Sequence, residues 1–287
     1  MLSDIATLLK LRLSLLVIVT AGIGYLFGSH HTESAAGFDL LKFLALIVGT
    51  TLTCTGGAAL NQLIEIDIDS SMERTKNRPL PRKALSSSTA LWFGAGFILV
   101  GVVVLYLFTN TTTCLLSAIT AGLYLCVYTP LKRRTWLNTM VGAVPGAIPP
   151  LGGWVAATGS VSLGGILLFA ILFFWQLPHF YALAWMYRED YARGGLQMLP
   201  VIDKDGSRTM RQILVFSGLL IPISLLPSLS GFAGDFSLVG SLLLGILFVT
   251  SGANFAAAPS YNSARSLFRT SIIYLPCLLT LLVLDLR

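Results

Sequence analysis

The sequence predicts an all-α polytopic membrane protein with nine transmembrane helices, two pseudo-repeated four-helix halves plus a ninth helix, around a central cavity. Three observations lead there. The 287 residues are 55% hydrophobic and only 11% charged, about half the charged share of a soluble domain. Apolar runs approaching the ~20 residues that cross a bilayer recur throughout, near 13–28, 40–60, 90–108, 113–129, 138–157, 163–186, 213–230, 236–256 and 268–284. If all nine cross, 17 of the 19 lysines and arginines fall on one face, leaving only Lys42 and Arg287 on the other.

That asymmetry is the positive-inside pattern, so a cytoplasmic N-terminus and an external C-terminus are expected, in a bacterial inner membrane. The net charge of +6 is then a topological signal and a contact with membrane lipids, and gives no reason to invoke nucleic acid. The first run is flanked by Lys10 and Arg12 and continues past Tyr25, unlike a cleaved signal, so it reads as a retained span. "TNTTT" at 109–113 is short and polar, a tight link between antiparallel helices. Cys54, Cys114, Cys126 and Cys277 stand singly in apolar runs, without zinc or disulfide spacing. A single domain, 1–287, is expected, with site-bearing cytoplasmic loops at about 61–89 and 187–212.

Directly after the second run comes "NQLIEIDIDSSMERTKNRPLP" at 61–81. On a helix, Asn61, Glu65 and Asp69 fall within an arc of about 80°, rising ~6 Å per step, while Asp67 points elsewhere. An amide and two carboxylates at a membrane mouth are hard oxygen ligands of the kind Mg2+ takes together with phosphate and water. Arg74, Lys76 and Arg78 would lie beside such phosphates, where Arg forks match phosphate geometry. The alternative is a solvated loop in which the acids simply pair with the adjacent bases. Oxygen ligands repeating every fourth residue on one face exceed what that needs. Lys132, Arg133 and Arg134, after the fourth run, either complete a phosphate clamp or set topology.

A second cluster follows the sixth run, "WQLPHFYALAWMYREDYARGG". His179, Tyr187 and Asp190 lie close to one helix face, with His179 ~16 Å deeper than Asp190. An ionisable group within a span is a functional candidate, so His179 either lines a deep substrate chamber or is a neutral histidine hydrogen-bonded in the bundle. Trp175 and Tyr128 are candidates for lining a cavity that stabilises a cation through ring faces, against the alternative of ordinary packing. Four spans separate the two clusters, so both emerge on one side, as in parallel-repeat membrane folds.

In these residues the chain resembles the UbiA-type intramembrane prenyltransferases, and within them the branch that farnesylates haem. "ALNQ", "DIDSSMERTKNRPLP", "YTPLKRRTWLNTMVGAVPGAIPPLGGW", "WQLPHF" and "DYARGGLQMLPV" follow in that branch's order and spacing over nearly the whole chain. The resemblance implies farnesyl diphosphate and haem B as substrates. It implies Mg2+ held by Asn61, Glu65 and Asp69 in a first motif and Asp190 in a second. Attack of a haem vinyl group on a farnesyl cation, then addition of water, would give haem O. It also points to haem A synthase or terminal oxidase assembly factors as protein partners. Two positions depart from the superfamily pattern: Glu65 stands where aspartate is common, and Gly194 where the second motif commonly has another aspartate. Two alternatives stay open, an aromatic prenyltransferase acting on a quinone precursor and a secondary transporter. A transporter's charged groups would sit near the bilayer midplane, whereas these acids sit at one mouth.

Overall fold

The computed structural model describes residues 2–32 and 38–287; the side chains of Leu2, Arg12 and Leu13 lie outside the described residues, and with them the topological role expected of Arg12. A short α1 (Leu2–Leu8) leads into α2 (Leu11–His30), followed by α3 (Leu40–Ile64), α4 (Ile66–Ser71), α5 (Ser87–Phe108) and α6 (Thr111–Gly122). A π-helical turn, Leu123–Tyr128, and α7 (Thr129–Leu131) extend α6 without a break. Then come α8 (Asn138–Thr158), α9 (Leu163–Met186), α10 (Arg188–Arg193), α11 (Leu199–Ile202), α12 (Ser207–Leu229), α13 (Asp235–Ala257) and α14 (Tyr261–Leu284). Helix is the form that satisfies every backbone polar group within its own segment, as lipid requires.

Eight helices among the described residues are long and apolar enough to cross a bilayer, one fewer than the nine expected. The difference is the first span. Among the described residues its apolar part, Ser14–His30, is shorter than the other spans. The short polar link is as expected: Asn110 caps α6 by accepting from the Thr113 N–H at 2.8 Å, and its amide reaches the Val155 carbonyl at 2.9 Å.

The two halves are visible in the packing. Helices α2, α3, α5 and α6 contact one another in chain order, as do α8, α9, α12 and α13, and α14 packs on α9 and α13. The halves meet along α2 and α8. There a Cβ at Gly24 would sit 2.0 Å from the Pro150 oxygen, and one at Gly153 would sit 1.9 Å from the Ala21 oxygen. Only glycine lets these backbones touch, the small-residue logic of helix contact in membranes.

The repeat also extends to a local device. Helices α3 and α9 each end in a one-residue break, Glu65 at φ −101, ψ 16 and Tyr187 at φ −113, ψ 21, and each is followed by a six-residue helix. In both halves the break turns a short helix across the mouth of the bundle. The sequence pattern suggested matched clusters but not this matched backbone.

Candidate active site

The regular spacing of the first acidic cluster survives the break at Glu65. Asn61, Glu65 and Asp69 are 1%, 6% and 1% exposed, whereas Asp67 faces solvent. Each of the three buried groups holds one cation. The Lys10 ammonium donates to Asn61 Oδ1 at 3.0 Å, Lys132 Nζ donates to Glu65 Oε1 at 2.8 Å, and Arg78 Nη1 reaches both Asp69 oxygens at 2.8 and 2.7 Å. Asn61 turns its amide to Thr129 Oγ1 at 3.1 Å, and Thr129 donates to the Tyr124 carbonyl. The π-helical turn therefore delivers Thr129 and Tyr128 to the cluster, and π-turns inside α-helices often mark functional sites. The Tyr128 ring lies 4.6 Å below Lys132 Nζ and stacks on Tyr124.

Electrostatics separate the two lysines. For Lys10, burial comes first, followed by the neighbouring Arg78 and Lys132 charges, and together they pull the ammonium down to about 7 against the opposing Glu65 and Asp69. For Lys132 burial opposes the charge too, but Tyr128, Glu65 and Tyr124 outweigh it and hold the group above its ordinary value. The contrast follows from the partners: a carboxylate faces Lys132, a neutral amide faces Lys10.

Asp190 joins the two loops. Its Oδ1 accepts from the Glu73 N–H at 2.8 Å and from Arg193 Nη2 at 2.7 Å, and its Oδ2 accepts from the Arg74 N–H at 3.2 Å. Burial alone would raise its carboxyl, but Arg193 and the Arg74 and Glu73 N–H groups hold it below the usual carboxylate range. Both oxygens thus accept backbone N–H groups of the loop after α4, a bridge between the two acidic motifs that spacing does not signal. Gly194 stands where the second motif commonly has another aspartate. A Cβ there would lie 3.2 Å from the Ile68 and Met72 side chains, which would have to shift slightly to admit any larger side chain.

The structure also separates residues that the sequence grouped. Lys76 pairs with Glu73 at the surface, and Arg133 and Arg134 face solvent, because the turns that bury Arg78 and Lys132 carry their neighbours outward. His179 lies in the α9–α14 contact. Its Nδ1 is 2.7 Å from Ser271 Oγ, its ring stacks on Phe268 and Trp175, and the Trp175 indole donates to the Ser271 carbonyl at 2.8 Å. Since Ser271 Oγ gives its own proton to the Phe268 carbonyl at 2.6 Å, the imidazole is the donor in the shared bond. The imidazole is thus hydrogen-bonded within the bundle, between α9 and α14. Arg74 is exposed over Tyr187 and Tyr191, 5.4 and 5.8 Å from their centroids, beside a cleft of about 460 Å³ that Trp185, Asp190 and Tyr261 also line. Sequence reasoning missed Lys10 and Thr129 as site residues; their contacts to Asn61 span 51 and 68 residues, and no local pattern signals them.

Among the described residues no group of three or more His, Cys, Asp or Glu is placed to hold a metal. Asn61, Glu65 and Asp69 are nonetheless a donor set that suits Mg2+ when phosphate and water complete its shell. They are buried, one turn apart, and already turned toward positive charge.

The UbiA prenyltransferase family matches this chain over residues 15–275. The chain belongs to the UbiA prenyltransferase family. As a member it is an intramembrane prenyltransferase, and family-wide relatives extend over its length. It is 46% identical over 286 residues to the protoheme IX farnesyltransferase of Solibacter usitatus, covering 98% of each chain. It is 42% identical to that of Salinibacter ruber, covering 99% of each. Among solved structures, digeranylgeranylglyceryl phosphate synthase superposes with a TM-score of 0.82 at 21% identity, covering 99% of this chain and 98% of that one. A UbiA homologue from Archaeoglobus fulgidus bound to GPP and Mg2+ gives 0.65 at 15% identity, covering 97% and 99%. At these identities the structures establish the shared UbiA fold.

Proposed function

We propose that this UbiA-family enzyme transfers the farnesyl group of farnesyl diphosphate to a vinyl group of haem B, with addition of water, to give haem O for terminal oxidase assembly. The observation that carries the acceptor is near-full-length similarity to protoheme IX farnesyltransferases. The diphosphate half is supported by the three oxygen side chains, each paired with a cation, at one mouth of the bundle.

Asn61, Glu65 and Asp69 would hold Mg2+, which when bound offsets the negative charge that develops on the leaving diphosphate. Lys132 and Arg78 pair with these carboxylates and would bind phosphate oxygens of the diphosphate. Asp190 keeps the Glu73–Arg78 turn folded over the mouth, which fixes where Arg74 and Arg78 can reach. The farnesyl C1–O bond breaks with its electron pair leaving on diphosphate. The terminal vinyl carbon then bonds to C1, water oxygen adds to the inner vinyl carbon, and one proton is released. Mouth and N-terminus are assigned to the cytoplasm by the basic residues gathered at this end.

Purified protein incubated with haem B, farnesyl diphosphate and Mg2+, with and without chelator, tests the reading by chromatography and mass spectrometry of the extracted haem. A chelator-sensitive, farnesylated and hydrated haem is expected. Unmodified haem beside a prenylated quinone precursor would move the enzyme to another branch, and no diphosphate chemistry at all would refute the site.

A further inference from the structure

We infer that Lys10 is a further substrate-contacting residue, whose ammonium group, carried into the mouth by the N-terminal helix, binds a phosphate oxygen of the prenyl diphosphate. This rests on the reading of the cluster as a diphosphate site.

The first observation is a charge imbalance. Lys132 and Arg78 each face a carboxylate, but Lys10 Nζ faces the neutral amide oxygen of Asn61 at 3.0 Å. Lys10, Arg78 and Lys132 thus gather around only two carboxylates, Glu65 and Asp69. A half-buried charge without a counter-charge is unfavourable, and an arriving anion is what relieves it. Diphosphate brings more than enough negative charge, to the same point where Asn61 would hold its metal.

The second observation is backbone strain. Lys10 adopts φ 48, ψ 45, and only one other non-glycine residue among those described, Lys83, has positive φ. That region is unfavourable for an L-residue with a side chain and persists where the surroundings enforce it, often at functional sites. Here it reverses the chain between α1 and α2, so that the lysine points inward instead of toward the headgroups.

The third is the fastening of α1. Gln62 Nε2 donates to the Thr7 and Leu8 carbonyls at 3.1 and 2.7 Å, Arg82 pairs with Asp4, and Leu8 packs against Ala59, Leu80 and Ala90. α1 is therefore a strap clipped at both ends of the 62–82 segment, the same segment that carries Glu65, Asp69 and Arg78. A lysine serving only topology needs neither the strap nor the burial.

The test uses full-length purified protein with Lys10→Gln, which keeps an N–H donor for Asn61 but no charge, and Lys10→Arg, which keeps the charge. Inorganic diphosphate is the probe, as a competitive inhibitor against farnesyl diphosphate. For Lys10→Gln we expect the KM for farnesyl diphosphate and the inhibition constant for inorganic diphosphate to rise about tenfold or more, the scale of one charge-assisted hydrogen bond. The KM for haem should stay within about twofold, and Lys10→Arg should recover most of the loss. Arg82→Gln, which loosens the strap without touching Lys10, should raise the same two constants by a smaller factor, and it carries the test if Lys10→Gln does not fold. Wild-type inhibition by inorganic diphosphate in Lys10→Gln, or in Arg82→Gln when the first variant is unfolded, overturns the inference. Equal loss in the Gln and Arg variants also overturns it, since charge would then be irrelevant. Failure of wild-type protein to bind inorganic diphosphate would instead sink the diphosphate reading itself, while turnover with a different acceptor would leave the Lys10 result standing.

Discussion

Replacing Asp190 with asparagine separates two roles for the second acidic motif, a clamp on the neighbouring loop and a direct ligand. The carboxylate accepts the Glu73 N–H at 2.8 Å and the Arg74 N–H at 3.2 Å, and Arg193 adds a third bond at 2.7 Å. The Arg193 side chain is 51% exposed, so that pair contributes little. The two backbone bonds to a charged acceptor carry more, about 1.5–3 kcal/mol each. Asparagine keeps one oxygen, enough for the shorter bond, but sets an NH2 group against the Arg74 N–H. One charge-assisted bond is lost and the other weakened, roughly 2–4 kcal/mol in all. That is enough to open the 72–78 turn without unfolding the bundle. Hydrogen exchange of the Glu73–Arg78 amides, read by mass spectrometry beside turnover, is the assay. Exchange should rise about thirtyfold or more, the equivalent of the lower figure, with turnover falling in step. Unchanged exchange with abolished turnover would refute the clamp and return Asp190 to the metal.

Glu65→Gln leaves the buried Lys132 ammonium without its counter-charge, so a loss of about 3–5 kcal/mol is expected in a thermal melt, whereas Glu65→Asp should keep the pair and measurable turnover. Gly153→Val drives a side chain into the Ala21 carbonyl, and size-exclusion chromatography should show loss of the monodisperse folded species; a normal profile would contradict the α2–α8 contact. The Asp190 carboxyl is held below its unfolded value, so its stabilisation is complete above the unfolded pKa of about 3.9 and disappears as pH falls through the folded value. Protection of the 72–78 amides, taken relative to their intrinsic exchange rate at each pH, should accordingly be flat from neutrality to about pH 5 and fall only in stronger acid. Removing divalent metal should abolish turnover and leave the melting profile nearly unchanged, because Lys132 and Arg78 neutralise Glu65 and Asp69 when metal is gone.

The comparison of the two halves shows why some of this was legible and some was not. Hydropathy located the spans because lipid forces each into one continuous helix, and eight of them reach full crossing length among the described residues. Helical periodicity put Asn61, Glu65 and Asp69 on one face and Asp67 on the other, and the structure agrees despite the break at Glu65. Periodicity could not say what each side chain meets. It gave Lys76, Arg133 and Arg134 the same standing as Arg78 and Lys132, although only the latter two are turned inward. It also made His179 a cavity candidate, when Ser271, 92 residues later, holds it in a helix contact.

By itself, then, the sequence determined the class of protein and the placing of Asn61, Glu65 and Asp69 on one helix face, because each follows from local composition and a 3.6-residue period. Tertiary structure decided the pairing of Lys10 with Asn61, the use of Asp190 as a bridge between loops, and the packing of α4 into the space beside Gly194. Those contacts join residues tens to more than a hundred positions apart, and which side chains face each other across such distances depends on how the two halves dock, not on any pattern within either.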